Sequence, residues 1–324
     1  MRSLGDKMKK RHLIYMLIIF SMISLFIGIK DIYPWELFRL NEASVQVMLI
    51  SRIPRLISII VVGMGMSISG LIMQSVSRNK FVSPTTAATT DWARLGILTS
   101  MMLFGSATYF QKMIIAFIFA LAGTLIFMKL LNKIKYKNAV FIPLMGIMLG
   151  NIISSLTTFF AYKNNLVQNI SSWLQGDFSL IIKGRYELLY LGIPMVFIAY
   201  IYGNKFTIAG MGEGFSVNLG LNYNRVVTMG LVIVSLITSI TVLTVGSIPF
   251  LGLIIPNIVS LYNGDNLKEN IPHTALLGAV FVLICDILSR VIIYPYELSI
   301  GVVVGVIGSG IFLYLLLRRK EYAV

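Results

Sequence analysis

Charged side chains lie inside long apolar segments of this sequence, and they come in oppositely charged pairs. Asp286 and Arg290 are four residues apart and Asp91 and Arg94 are three apart, so each pair shares one face of a helix. A charge inside a membrane span is costly and marks a functional site by default, although internal pairing weakens that inference. Each pair is therefore either a structural ion pair or part of a translocation path, and the sequence leaves both open.

Groups for covalent, metal or nucleotide chemistry are sparse. The single cysteine, Cys285, lies in an apolar stretch, and the two histidines, His12 and His273, are far apart in the chain. This set is too small for a zinc or haem site. The sequence also contains no G-x-x-x-x-G-K-[ST] phosphate-binding loop. We therefore predict no catalytic residue, no metal site and no cofactor, and a protein that is not an enzyme.

The composition indicates which elements must position these residues. Of 324 residues, 57% are hydrophobic and 12% are charged, whereas a soluble domain has about 25% charged residues. A membrane span needs about 20 apolar residues, which predicts an all-α polytopic membrane protein with about ten transmembrane helices. Residues 250–262, which include Pro256, are short enough to form a broken or tilted helix. The predicted spans are residues 13–29, 56–76, 93–109, 113–131, 140–162, 188–202, 226–245, 250–262, 274–294 and 300–317.

Charge predicts the orientation of these spans. Ten spans leave only short connections, so residues 1–324 are predicted to form a single transmembrane domain. Residues 1–11 form a basic tail, and most other basic residues fall in loops on the same side of the membrane. The positive-inside rule then places both termini in the cytoplasm. Because the basic residues are scattered between spans, the net charge of +14 indicates topology rather than nucleic-acid binding.

The longest predicted cytoplasmic loop, residues 205–225, contains a candidate short helix. Glu213 would supply an acidic first turn and Gly220 a glycine stop. On composition alone, a solvated connection is favoured over this helix.

Two further segments stand out by their residue types. Arg52 and Arg55 precede a span with small residues at Gly63 and Gly70, which let helices approach closely. Taken alone, the two arginines are interpretable as interfacial anchors. The other segment, residues 249–256, reads P-F-L-G-L-I-I-P and interrupts an apolar region with two prolines.

Together these segments resemble the permease subunits of ABC importers for iron-siderophores, haem and cobalamin. Residues 82–96 are similar to the branch that handles catecholate-type siderophores. The resemblance implies a cobalamin-importer-type permease fold, and a permease subunit that moves ferric siderophore inward across the bacterial cytoplasmic membrane. The motifs that carry it, in order over about residues 50–320, are R-I-P-R at 52–55, the second span ending in Gln74, Arg78-Asn79, Glu213 with Leu219-Gly220, residues 249–256, Asp286 with Arg290, and Glu297-Leu298 with Gly301.

The same resemblance implies partners and residue roles. The partners are separate ABC ATPase subunits, a second permease subunit (the same or a related chain) and an extracytoplasmic siderophore-binding protein. Arg52 and Arg55 match arginines that dock the binding protein. Family members usually carry proline after the asparagine at position 79, whereas Lys80 stands here, so the backbone of the gate is expected to differ locally. ATPase coupling is implied for Glu213, Gly214, Leu219 and Gly220, and a gate or pathway role for Asn79, Phe81, Pro249, Phe250, Gly252 and Pro256.

Two other function classes compete with this interpretation. A secondary transporter driven by an ion gradient would need acidic membrane residues left free for ion coupling, whereas Asp286 has a ready partner in Arg290. An intramembrane hydrolase would need a nucleophile and a base on facing helices, which the scarcity of histidine disfavours.

Overall fold

The computed structural model describes residues 9–28, 42–133, 141–184 and 186–320, and these form helices and turns without a strand. Most of the predicted basic tail lies outside the described residues. The elements in chain order are α1 (Lys10–Phe26), α2 (Glu42–Val47), a π-helical turn (Met48–Arg52), α3 (Ile53–Val76), α4 (Thr89–Leu103), α5 (Tyr109–Lys133), α6 (Phe141–Lys163), α7 (Val167–Leu174), a 3₁₀ turn (Glu187–Leu191), α8 (Gly192–Ile201), α9 (Gly203–Gly210), α10 (Glu213–Asn218), α11 (Tyr223–Thr244), α12 (Leu251–Asn263), α13 (Leu267–Val291) and α14 (Ile300–Lys320).

The helices confirm the prediction of an all-α membrane protein. Among the described residues, six helical stretches are long and apolar enough to cross a membrane: α3 with the π-helical turn and the end of α2 before it, α5, α6, α11, α13 and α14. The pair Glu187–Ile201 and α9 adds a seventh if it counts as one bent span. The helices α1, α4 and α12 have 17, 15 and 13 residues. The number of ten spans therefore stays a prediction.

Helix α3 lies at the centre of the bundle, and its small residues let neighbours approach. A Cβ atom added at Gly63 would lie 2.7 Å from the Cα atom of Ala279 on α13. One added at Gly70 would lie 1.8 Å from the carbonyl oxygen of Gly252 on α12. Only glycine fits such backbone contacts, which confirms the packing interpretation of these residues.

The segment that follows α8 differs from the sequence prediction. Residues 205–225 were expected to be a loop with one short helix, but they contain most of α9 and all of α10. The chain bends by 62° between α8 and α9. Gly203 lies just after this bend, where an added Cβ would be 2.9 Å from the Cα atom of Lys268. The close approach of α9 to the start of α13 explains why an apolar span turns here rather than continuing.

Candidate functional site

A buried charge network lies at the end of the bundle where α3 begins. Asp286 on α13 is fully buried, and its Oδ1 accepts hydrogen bonds from Arg55 Nη2 at 2.8 Å and Nε at 3.1 Å. Its Oδ2 accepts from Arg290 Nη2. Arg55 Nη1 also donates to Glu297 Oε2 at 2.7 Å, in the connection to α14. The structure thus brings Asp286 and Arg290 together and adds Arg55 and Glu297.

The same network holds the end of α1. Arg290 Nη1 donates to the carbonyl oxygens of Ser24 at 2.9 Å and Ile27 at 2.8 Å, and its Nη2 donates to Ser24 Oγ at 2.9 Å. Arg52 also donates to the Ile27 carbonyl. The last carbonyls of a helix lack intrahelical partners and carry partial negative charge, so guanidinium groups suit this position. The network therefore joins α1, α3, α13 and the connection that precedes α14.

Sequence spacing could not have revealed the full network. Arg55 and Asp286 are separated by 231 residues and Arg55 and Glu297 by 242. The resemblance gives Arg55 a docking role, whereas the structure places both of its terminal nitrogens on buried or half-buried carboxylates. The only local signal was the four-residue spacing of Asp286 and Arg290.

A second candidate site lies at the other end of α3, about 36 Å away along the 24-residue helix. We call residues 77–82 the gate segment, because the resemblance predicts a gate role for Asn79 and Phe81 within it. Asn79 is buried there, and its Oδ1 accepts a hydrogen bond from the backbone N–H of Phe81 at 2.8 Å. The Phe81 ring meets Phe312 on α14 edge-on, with the ring centroids 6.0 Å apart.

The predicted pathway residues 249–256 lie beside this segment. Phe250 has a left-handed backbone (φ 62°) at the start of α12, and its ring lies 6.4 Å from that of Phe312. Gly252 contacts α3 as described above, and Pro256 is buried inside α12. Phe312 thus joins Phe81 and Phe250, although nothing in the local sequence of its apolar span singled it out. Pro249 lies next to Gly305 of α14, where an added Cβ would be 3.8 Å from Pro249 Cγ.

The short helix α10 begins at Glu213 and ends at Asn218, which confirms the helix predicted there. Ser216 is fully buried, and its Oγ donates to the carbonyl oxygens of Gly212 at 2.7 Å and Ile208 at 3.0 Å. Gly220 has a φ of +75°, the left-handed conformation typical of a residue that follows a helix. Nothing lies within 4 Å of a Cβ added at Gly214.

Apolar side chains point outward around α10. Leu219 is 58% exposed, and Met211, Phe215 and Val217 are at least half exposed. These four residues form what we call the α10 surface. Contiguous exposed apolar side chains with an anchored polar residue behind them are typical of a surface that binds a protein partner.

The pair Asp91 and Arg94 lies apart from these sites, on α4. Arg94 Nη1 is 3.1 Å from Asp91 Oδ1, and Asp91 faces Gly150 of α6, where a Cβ would lie 2.7 Å from Oδ2. Within the described residues, no three histidine, cysteine or acidic side chains are grouped so as to hold a metal ion.

Comparison with known proteins places these features in a family. The FecCD transport family matches residues 16–318. The chain is 66% identical over 316 residues to the petrobactin import system permease protein YclN of Bacillus subtilis, covering 98% of this chain and all of the relative. It is 40% identical over 299 residues to the ferric-anguibactin transport system permease protein FatD of Vibrio anguillarum, covering 92% and 95%.

A solved structure supports the fold. The chain superposes with a TM-score of 0.80 on an inward-facing conformation of a metal-chelate type ABC transporter, at 22% identity, covering 95% of this chain and 98% of that one. At this identity the likeness concerns the fold alone, and it agrees with the predicted permease fold. From the family match along almost the whole chain, we conclude that this protein belongs to the FecCD transport family.

Proposed function

We propose that this chain is the membrane permease subunit of an ABC importer that carries a ferric siderophore inward across the bacterial cytoplasmic membrane. The observation that carries the proposal is the 66% identity, over nearly the whole chain, to a petrobactin import permease. Two further relatives are named for ferric-anguibactin and for petrobactin. Ferric petrobactin is therefore the first substrate to test, and assignment to the catecholate branch stays a prediction.

Uptake by the reconstituted transporter tests this function. The chain, its ATPase, any second permease and the binding protein are placed in proteoliposomes and supplied with iron-labelled ferric petrobactin. We expect uptake that needs ATP and the binding protein and that persists when ionophores remove ion gradients. If uptake instead proceeds without the ATPase and is abolished by ionophores, the ion-gradient alternative is supported. The relatives, which are named as permeases of import or transport systems, do not favour that alternative.

The α10 surface is the proposed contact with the ATPase. Its exposed apolar residues, together with the rigid anchor at Ser216, would allow a partner's movement to be transmitted into the membrane helices. Glu213, Gly214, Leu219 and Gly220 are proposed to act here, with Gly220 setting the direction in which the chain leaves α10.

Replacing Leu219 by aspartate tests this contact. Since the side chain is exposed, the permease should still insert and fold, but a charge in an apolar interface should lower ATPase binding by about tenfold or more. Co-purification of the ATPase and ATP-driven uptake measure the effect. Asn224→Asp, which adds the same charge at an exposed position nearby, is the control. Normal ATPase binding by Leu219→Asp would refute the contact.

We place docking of the siderophore-binding protein at the buried charge network. Arg52, Arg55 and Arg290 bring three positive charges, whereas Asp286 and Glu297 bring two negative ones. Opposite charge on a partner speeds and orients docking, so an acidic residue of the binding protein would complement this excess. Arg52 and Arg55 are both proposed to contribute to this docking.

Replacing Arg52 by glutamine should slow association of the binding protein and make it less sensitive to salt. Association rates measured at low and moderate ionic strength check this. The control is Lys112→Gln, which removes one charge at the start of α5, on the side of the membrane where Arg52 is also predicted to lie. This variant should change the association rate little. An unchanged rate and salt dependence for Arg52→Gln would contradict the docking role.

The proposal also covers which helices contact the second permease subunit and on which side of the membrane the termini lie. Of the six long apolar helical stretches, α14 and α6 are the least buried within this chain. These helices are the proposed contacts of a second subunit, either the same chain or a related one. With the α10 surface in the cytoplasm, the basic tail and the end of α14 are proposed to be cytoplasmic too.

A further inference from the structure

An ion pair joins the gate segment to a distant turn. Lys80 Nζ lies 2.5 Å from Oδ1 of Asp265, although 185 residues separate them in the sequence. Asp265 lies between the end of α12 at Asn263 and the start of α13 at Leu267. Phe81 follows Lys80 directly and packs on Phe312, so the position of Lys80 sets that of the gate aromatic ring.

Neutral hydrogen bonds hold the same region from the inner side. Asn257 Nδ2 of α12 donates to the Lys80 carbonyl oxygen at 2.8 Å, and Gln74 Nε2 of α3 donates to the Leu253 carbonyl oxygen at 3.2 Å. The ion pair differs from these because its side chains are 30% and 64% exposed. An exposed pair adds little to overall stability and is weakened by salt. It is therefore suited to bias a movement rather than to hold the fold.

Helix α9 contacts both sides of this ion pair. On one side, Ser75 Oγ at the end of α3 donates to the Phe206 carbonyl oxygen at 2.8 Å. On the other side, the backbone N–H of Leu267 donates to Thr207 Oγ1 at 3.0 Å, two residues beyond Asp265. Helix α9 is in turn held to α10 by the bond from Ser216 Oγ to the Ile208 carbonyl.

These contacts form a closed ring. It runs from α9 through the end of α3 to the gate segment, across the ion pair to the start of α13, and back to α9. A displacement of α9 that moves α3 and α13 unequally is expected to change the Lys80–Asp265 distance first, because an exposed ion pair is a weak contact.

We infer that Lys80 and Asp265 form a releasable ionic latch that holds the gate segment in its packed position, and that movement of α9 opens it. The part played by α9 rests on the proposed function, since the ATPase at the α10 surface would supply the movement. The latch itself does not depend on that function.

Labelling of a buried thiol in the region after the gate segment tests the latch. Ser83 is 1% exposed and becomes the reporter as Ser83→Cys in a Cys285→Ser background, so that this chain carries no other thiol and its labelling is read from its own band on a gel. The complete transporter in inside-out vesicles is treated with a membrane-impermeant maleimide. We expect Lys80→Gln and Asp265→Asn each to raise the labelling rate about two- to fivefold, as loss of an exposed ion pair allows.

The charge-swapped double variant, Lys80→Asp with Asp265→Lys, separates a latch from a merely structural role. Labelling should return to within about twofold of the parent, and added salt should speed labelling of the parent but not of the single variants. Lys268→Gln removes an exposed charge close to Asp265 and is the matched control.

Two outcomes would overturn the latch: single variants that label at the parent rate, or a charge swap that labels as fast as the single variants. The proposed function fails separately. If the parent shows no ATP-driven uptake but the labelling pattern holds, the latch stands and the transport assignment falls. If uptake is normal and labelling is insensitive to these variants, the latch falls and the transport assignment stands.

Discussion

Replacing Asp286 by alanine is expected to abolish transport and to leave little folded protein. Asp286 is fully buried and accepts hydrogen bonds from both Arg55 and Arg290, so its loss leaves two buried guanidinium groups without their shared counter-ion. Removing one member of a buried charge network costs about 3–5 kcal/mol, which is a large share of the stability of a domain. The yield of folded protein, its Tm in detergent and ATP-driven uptake measure the effect.

The control for this variant is Asp265→Ala. It also removes a carboxylate that is paired with a basic side chain, but Asp265 is 64% exposed and an exposed pair contributes little. Its yield and Tm should therefore stay close to those of the parent. If Asp286→Ala matched Asp265→Ala in yield and Tm, the network would not be a structural centre of the bundle.

Replacing Gly70 by alanine should be nearly as damaging to transport. The new Cβ would lie 1.8 Å from the carbonyl oxygen of Gly252, and α3 and α12 would have to move apart by about 1.2 Å to reach even the shortest contact of 3.0 Å. Backbone atoms cannot rotate away as a side chain can, and overpacking of this kind costs about 1–3 kcal/mol. Because α12 positions Phe250, ATP-driven uptake should fall more steeply than expression.

Gly192→Ala is the matched control, since it places the same methyl group at a buried helical glycine. Its nearest neighbour would be Val61 Cγ1 at 3.5 Å, which is an ordinary van der Waals contact. We expect uptake close to that of the parent. Equal uptake by Gly70→Ala and Gly192→Ala would show that the crossing of α3 and α12 does not control transport.

The local features of the fold could be predicted from the sequence with good accuracy. Composition predicted a helical membrane protein, and the acidic start and glycine stop around Glu213 and Gly220 predicted α10. Residues 188–202 were less well predicted, because an apolar run gives no sign that the chain will bend by 62° and continue as α9. The bend depends on the packing of Gly203 against α13, which is a contact between distant parts of the chain.

For the candidate sites too, the sequence identified individual residues, whereas the structure showed which of them are in contact. The segment with Asn79 and the run 249–256 were identified from their residues, but the structure added Phe312, which brings Phe81 and Phe250 into one aromatic group. Likewise, Arg52 and Arg55 were identified as a pair, while the carboxylates that Arg55 contacts come from α13 and the segment after it. No spacing along the chain could have linked residues so far apart.

The sequence by itself determined that the chain crosses a membrane as helices and that Asp286 and Arg290 share a helix face, and it marked Glu213 as the candidate start of α10. Each of these follows from composition or from spacing within one helix. The tertiary structure alone decided that Arg55 contacts Asp286 and that Lys80 contacts Asp265. The physical reason is that lipid and protein interior are equally apolar, so hydrophobic periodicity does not indicate which helix faces which, and only the packing of the helices brings these charges together.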